Sequence, residues 1–367
     1  MPDHLTGQLS HLGSKKGMDP RREALGKGRS IDASTIGADA AATGIAVAIL
    51  CIFAAGCSET LDAGSSRPHG LLPVDERNPT IFVDDGSTDN WGTEYALLLA
   101  NGGGSPLAGI IIGTSAPWPD LDTNVTAARD LVAAARQSGL KNIPDPIASI
   151  GDILKRPTSG DIDATQANRS EGALFIVDAS RRLALPYRPL VVATGGRLTD
   201  VADAYLVDHS VTERVVVVAS LGSLSADGAA MGAPNGEMDP WADTIVTARF
   251  RYIQVSAFYD QLQDVPASRV SELPANPFGS WMAAKQPNIW SIPEAADQVS
   301  VLAVGFSRFV TEVERVSPAE SDDGGTTEGS PLVGSPTGPA WLVRRTDGPA
   351  AAARIWSILL NPTTFAP

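Results

Sequence analysis

Cysteine is nearly absent from this chain of 367 residues, which holds only Cys51 and Cys57. A disulfide framework is therefore excluded, and stability must come from a core, for which the 43% hydrophobic content is sufficient. Basic charge is also scarce: the formal net charge is −14, and no strongly basic block follows the N-terminal region. That excludes nucleic acid as a partner, because such binding rests on neutralising phosphates. A net negative surface favours solubility and says little about a substrate. No internal repeat is visible. Gly195-Gly196 lacks the Lys and Ser/Thr of a phosphate-binding P-loop and reads as a tight strand-to-helix turn. Ser220-Leu-Gly-Ser223 lacks the preceding Gly of a nucleophile elbow. Histidine is limited to His4, His11, His69 and His209, the last reading as a surface residue.

The apolar run Ile45–Gly56 is too short to cross a hydrocarbon core of roughly 30 Å. Lys15, Lys16, Arg21, Arg22, Lys27 and Arg29 precede it, and Ala54-Ala55-Gly56 sits directly before Cys57. A basic region, a short apolar core and small residues before a cut describe a secretory signal. The cysteine after Ala-Ala-Gly resembles a bacterial lipobox, with Ala54 where Leu is usual. That implies lipidation of Cys57 and an exported lipoprotein anchored to a membrane, on the periplasmic face or the cell surface. Residues 1–56 are then a signal peptide with its lipobox, 57–78 a flexible tether, and 79–367 one domain.

Within that domain, Thr80–Asp84, Leu107–Gly113, Pro189–Thr194 and Arg214–Ser220 read as buried strands. Tyr95–Ala100, Thr123–Ser138, Ala173–Leu183 and Leu198–Val207 read as helices between them. Alternation of this kind predicts an α/β fold: a mostly parallel central sheet with helices on both faces, three-layer and Rossmann-like. Ser317–Pro339, rich in Gly, Ser, Thr, Pro and acids, reads as a disordered surface loop. Trp341–Arg345 and Ala350–Leu360 read as a strand and a closing helix completing the same sheet.

Ligands of parallel α/β sheets bind beyond the carboxyl ends of the strands. Asp84-Asp85-Gly86-Ser87-Thr88-Asp89-Asn90 stands at such an end. Taken alone, it is either a solvated turn or a set of oxygen ligands for a hard cation. Asn124-Val-Thr126 matches a glycosylation sequon by pattern. Trp118, Trp241, Trp281 and Trp290 could stack on a base or belong to the core, Trp241 being the best placed for a ligand.

Four ordered blocks resemble the inosine-uridine preferring nucleoside hydrolase family. Ile81–Asn90 followed by Tyr95–Ala100 is similar to its Asp-rich first strand and turn, with Gly109–Ser115 as the next strand. Gly195-Gly-Arg-Leu-Thr-Asp-Val-Ala202 resembles its Gly-Pro-Leu-Thr-Asn turn. Glu237-Met-Asp-Pro-Trp-Ala-Asp243 resembles its Glu-Phe-Asn segment, and Ala296-Asp297-Gln298 its late His-Asp-Pro. The resemblance implies a nucleoside hydrolase-like fold and a glycosidase that hydrolyses N-ribosyl or related glycosidic bonds with a calcium-activated water. It implies Asp85 as general base and metal ligand, with Asn90, the Thr199 carbonyl and Asp297 completing the Ca²⁺ shell. Asp89, Glu237, Asp239 and Trp241 would meet the substrate. The partner so implied is a small nucleoside or sugar, and relatives are often homo-oligomers. Asn90 stands where the family has a carboxylate, and Ala296 where some members have a leaving-group acid. Both substitutions leave open an alternative, a catalytically attenuated ribosyl- or sugar-binding lipoprotein that retains the fold.

Overall fold

The computed structural model describes residues 70–85, 106–115, 118–220, 234–255, 271–284, 307–318, 332–334 and 339–361. The strands are β1 (Thr80–Asp84), β2 (Leu107–Ile112), β3 (Pro146–Ala148), β4 (Leu190–Thr194), β5 (Val215–Ser220), β6 (Arg251–Val255), β7 (Val310–Pro318), β8 (Leu332–Gly334) and β9 (Ala340–Thr346). They form one nine-stranded sheet in the order β3-β2-β1-β4-β5-β6-β9-β7-β8. The pairs from β3 through β9 are parallel. β7 alone turns the edge antiparallel, against β9 on one side and β8 on the other.

The helices are α1 (Leu121–Gln137), α2 (Glu171–Leu183), α3 (Thr199–Val207), α4 (Val211–Arg214), α5 (Pro234–Glu237), α6 (Pro240–Arg249), α7 (Pro277–Ala284) and α8 (Gly348–Leu360). Strand alternation divides the core into two faces. Phe82, Val191, Ala193, Val216 and Val218 pack on one side with Val125 and Leu131 of α1, Phe278 of α7 and Ile358 of α8. Ile81, Val83, Val192, Val215 and Val217 pack on the other with Ile176 of α2, Val201 of α3 and Ile245 of α6. Each fully buried side chain of this size contributes about 1.5–3 kcal/mol relative to exposure. The strands thus read as continuous apolar runs because both their faces are covered.

Helix starts follow capping chemistry. The side chain of Asp120 accepts the Thr123 amide, so α1 begins two residues before the predicted Thr123. Ser170 does the same for Ala173, and α2 begins at Glu171 rather than Ala173. Asp239 caps α6 with Pro240 in the first turn.

Two stretches differ from the sequence reading. The end of the segment read as tether is packed: Leu72 and Val74 are buried, and the Asn78 amide donates to the Pro189 carbonyl at the foot of β4. Two apolar side chains with somewhere to go are enough to fix it. The Ser317–Pro339 stretch read as a disordered loop contributes to both β7 and β8, since Val316–Pro318 pair with Leu332–Gly334. The predicted helix Tyr95–Ala100 lies outside the described residues.

Candidate active site

The strand order reverses at β1: β2 and β3 extend to one side, β4 to β6 to the other. Loops leaving the carboxyl ends of neighbouring strands diverge there and leave a crevice. It is a small cleft lined by Val83, Asp84, Asp85, Gly113, Thr114, Gly151, Gly196, Arg197, Thr199 and Asp200.

Asp85 lies one residue past β1 and is 4% exposed. Its amide donates to Asp84 Oδ1 at 2.7 Å, so both acids of the pair line the cleft rather than facing opposite sides of a strand. Its carbonyl accepts the Asn124 side-chain amide at 2.8 Å. The same Asn124 nitrogen reaches the carbonyls of Gly113 (3.1 Å) and Trp118 (3.1 Å). Asn124 is 2% exposed, so the sequon is a structural clasp and not an attachment site in the folded chain. Gly196 closes the other side. A Cβ there would meet Asp85 Cγ at 2.9 Å, closer than packed atoms approach, so glycine at this second position after β4 is what lets the carboxylate sit where it does. Burial raises the pKa of Asp85, opposed by a hydrogen bond from Ser115 and by the charge of Arg197.

Asp200, in the first turn of α3, accepts two hydroxyls on Oδ1, Ser149 at 2.6 Å and Ser170 at 2.7 Å. Burial raises its pKa, and those two bonds oppose the shift. Ser170 is itself placed by Asp203, whose carboxylate accepts the amides of Asn168, Arg169 and Ser170. The turn so gathered holds Arg169 at φ 59°, a left-handed conformation. Arg197 projects from the turn between β4 and α3. Its Nη2 donates to Thr114 Oγ1 at 3.0 Å and to the Gly151 carbonyl at 2.8 Å, tying the ends of β2 and β3 to that turn.

Of the residues expected from the sequence, Asp85 and Thr199 come together in this cleft. Asp239 and Trp241 do not, and their reading as ligand contacts is corrected. Asp239 is fully buried and its oxygens are taken by the Ala242 amide, the Leu154 amide and the Thr199 hydroxyl, the last at 2.6 Å. A carboxylate that caps one helix and grips the first residue of another is a fastener. Trp241 is 1% exposed, packs in the core and donates Nε1–H to Thr165 Oγ1 at 3.0 Å, with Arg156 over its ring. Glu237 ends α5, and its side chain lies outside the described residues, as do Cys57, Asp89, Asn90, Trp290 and Asp297. His209 is exposed and stacks on Tyr205, as expected of a surface residue.

Arg197, Asp200, Ser115 and Asn124 escaped sequence reasoning as site residues. A signal existed for the first two, since a charged pair follows the double glycine at the end of an apolar strand.

No family model matches the chain, and no curated protein sequence matches it. Solved structures do share its fold. An inosine-uridine preferring nucleoside hydrolase from Bacillus anthracis superposes with a TM-score of 0.56 at 16% identity, over 77% of this chain and 99% of that one. An inosine-guanosine nucleoside hydrolase gives 0.55 at 12%, over 77% and 99%. A purine-preferring ribonucleoside hydrolase from Gardnerella vaginalis gives 0.51 at 15%, over 78% and 100%. The chain therefore has the nucleoside hydrolase-like α/β fold.

Proposed function

We propose that the chain hydrolyses N-ribosyl or related glycosidic bonds in the cleft at the carboxyl end of β1. The observation that carries this reading is Asp85, a buried carboxylate at the point where the strand order reverses, held on both sides and open to the cleft. The fold, shared with enzymes named for this reaction, supports it. Asp85 would hold the attacking water and take its proton as the oxygen joins the anomeric carbon and the C–N bond breaks, the departing base gaining its proton from solvent. Negative charge from Asp84 and Asp85 would stabilise an oxocarbenium-like transition state.

The site is tested for a hard cation by its charges. Asp84, Asp85 and Asp200 line one cleft, and Arg197 is the one basic side chain among its described lining residues. Such a surplus of carboxylate suits a divalent ion. Asp85 and the Thr199 carbonyl would hold Ca²⁺. Among the described residues no three acidic, His or Cys side chains are close enough to share an ion, so a full shell also needs Asn90 and Asp297. When bound, Ca²⁺ would grip ribose hydroxyls and acidify water.

The test is release of ribose from a panel of nucleosides with Ca²⁺ saturating; no release from any of them refutes the hydrolase. The second reading is a binding protein that has lost turnover, favoured by Asn90 in place of a ligating carboxylate. It requires nucleoside or sugar binding with no product over hours. Export as a lipid-anchored protein through Cys57 is part of the proposal. Mass spectrometry of the mature N-terminus tests it, a diacylated Cys57 being the expected species and an unprocessed N-terminus the contrary one.

A further inference from the structure

A guanidinium carries five N–H donors in a planar fork and keeps its charge at any physiological pH. The chain shows what an arginine looks like when each of its three nitrogens is engaged in structure. Arg214 gives Nε to Ser180, Nη1 to Ser210 and Nη2 to Asp208, an ion pair at 2.9 Å. Arg197 differs. It is half-buried in the cleft wall, and only Nη2 is engaged, with the two neutral acceptors Thr114 Oγ1 and the Gly151 carbonyl. Among the described residues Nε and Nη1 have no hydrogen-bond partner, leaving three donors on a fixed cation that lines the cleft.

The carboxylates around it do not consume that charge by contact. Asp200 takes its hydrogen bonds from Ser149 and Ser170, and Asp239 from Thr199, Leu154 and Ala242. Asp85 has Ser115. The Thr114 hydroxyl and the Gly151 carbonyl thus fix the guanidinium, while its remaining edge has no hydrogen-bond partner among the described residues. A charged fork held rigid in advance gives up little entropy when it meets an oxyanion.

We propose that Arg197 anchors a phosphate carried by the ligand, so that the cleft takes phosphorylated ribosyl compounds in preference to neutral ones. This rests on the reading of the Asp85 cleft as a ribosyl site. Asp85 would face the sugar and Arg197 the phosphate, separating the two charges of the site along one ligand.

The experiment is calorimetric titration of the full-length chain with D-ribose and with ribose 5-phosphate in the presence of Ca²⁺. The wild type should bind ribose 5-phosphate at least about tenfold more tightly, the scale of one charge-assisted hydrogen bond. Arg197→Gln should erase that preference, and Arg197→Lys should keep part of it. Raising NaCl to about 0.5 M should narrow the preference in the wild type by screening. Equal binding of the two probes by the wild type, or an undiminished preference in Arg197→Gln, overturns the proposal and leaves the ribosyl reading standing. Binding of neither probe overturns both. Should Arg197→Gln fail to fold, the wild-type comparison and Arg197→Lys still decide.

Discussion

Replacing Asn124 tests how the cleft is held together. One buried amide nitrogen reaches three carbonyls, those of Asp85, Gly113 and Trp118, at 2.8, 3.1 and 3.1 Å. It has two hydrogens, so at most two well-aligned bonds form and the third acceptor shares a hydrogen. Asn124→Ala removes both donors and leaves buried acceptors without them. At about 1 kcal/mol per bond, rising where an acceptor is stranded, the loss should be about 2–3 kcal/mol. Asn124→Asp is nearly isosteric but puts an acceptor against three acceptors and buries a charge. It should cost more, about 4 kcal/mol at neutral pH, and recover in part as acid protonates the new carboxyl and restores one donor. Urea unfolding followed by circular dichroism reads both values, and Asn124→Asp should regain stability relative to Asn124→Ala as pH falls. If either variant lies within about 0.5 kcal/mol of wild type, the range of an ordinary surface substitution, the clasp assigned to Asn124 is wrong.

Gly196→Ala drives a Cβ to 2.9 Å from Asp85 Cγ, so it should weaken ligand binding at least tenfold on the scale of about 1–3 kcal/mol for overpacking; unchanged titration curves would contradict the close approach. Asp203→Ala strands the amides of Asn168, Arg169 and Ser170 and should cost about 2–4 kcal/mol in urea unfolding, with cleft binding lost in parallel because Ser170 positions Asp200. Asp208 stands at the C-terminal end of α3, the end opposite Thr199 and Asp200. Burial alone would raise its pKa, but Ser210, Arg181 and Arg214 together hold it at about 2. A depressed folded pKa stabilises above the unfolded value near 4 and loses that contribution as pH falls towards 2. Asp208→Asn should therefore be less stable than wild type by about 1 kcal/mol at pH 7, allowing for the exposure of Arg181, and the difference should close between roughly pH 5 and pH 2. A difference that persists at pH 2 would contradict the assignment.

The central sheet was legible because its strands are buried on both faces and therefore read as apolar runs, as in the four consecutive valines of β5. β7 was missed for a physical reason. It runs near the antiparallel edge, only Val310 and Val316 are buried among its described side chains, and irregular pairing between Val310 and Val313 breaks the alternation that would have marked it. Asp85 was legible because a carboxylate at the end of an apolar strand has one natural place in such a sheet. Asp200 was not, since the serines that define its role stand 51 and 30 residues away in sequence. Trp241 shows the converse error. Its position two residues after an acid suggested a ligand wall, but the acid is a helix cap, and the residues after a cap face the core as readily as a cleft.

The central claim is that the Asp85 cleft breaks N-ribosyl bonds. The direct measurement is ribose release by the wild type and by Asp85→Asn, on the same panel of nucleosides with saturating Ca²⁺, with thermal melts confirming that both proteins are folded. The wild type should release ribose from at least one substrate, and Asp85→Asn should lose at least about a hundredfold, the scale of a lost general base. No release by the folded wild type, or release by Asp85→Asn at the wild-type rate, contradicts it.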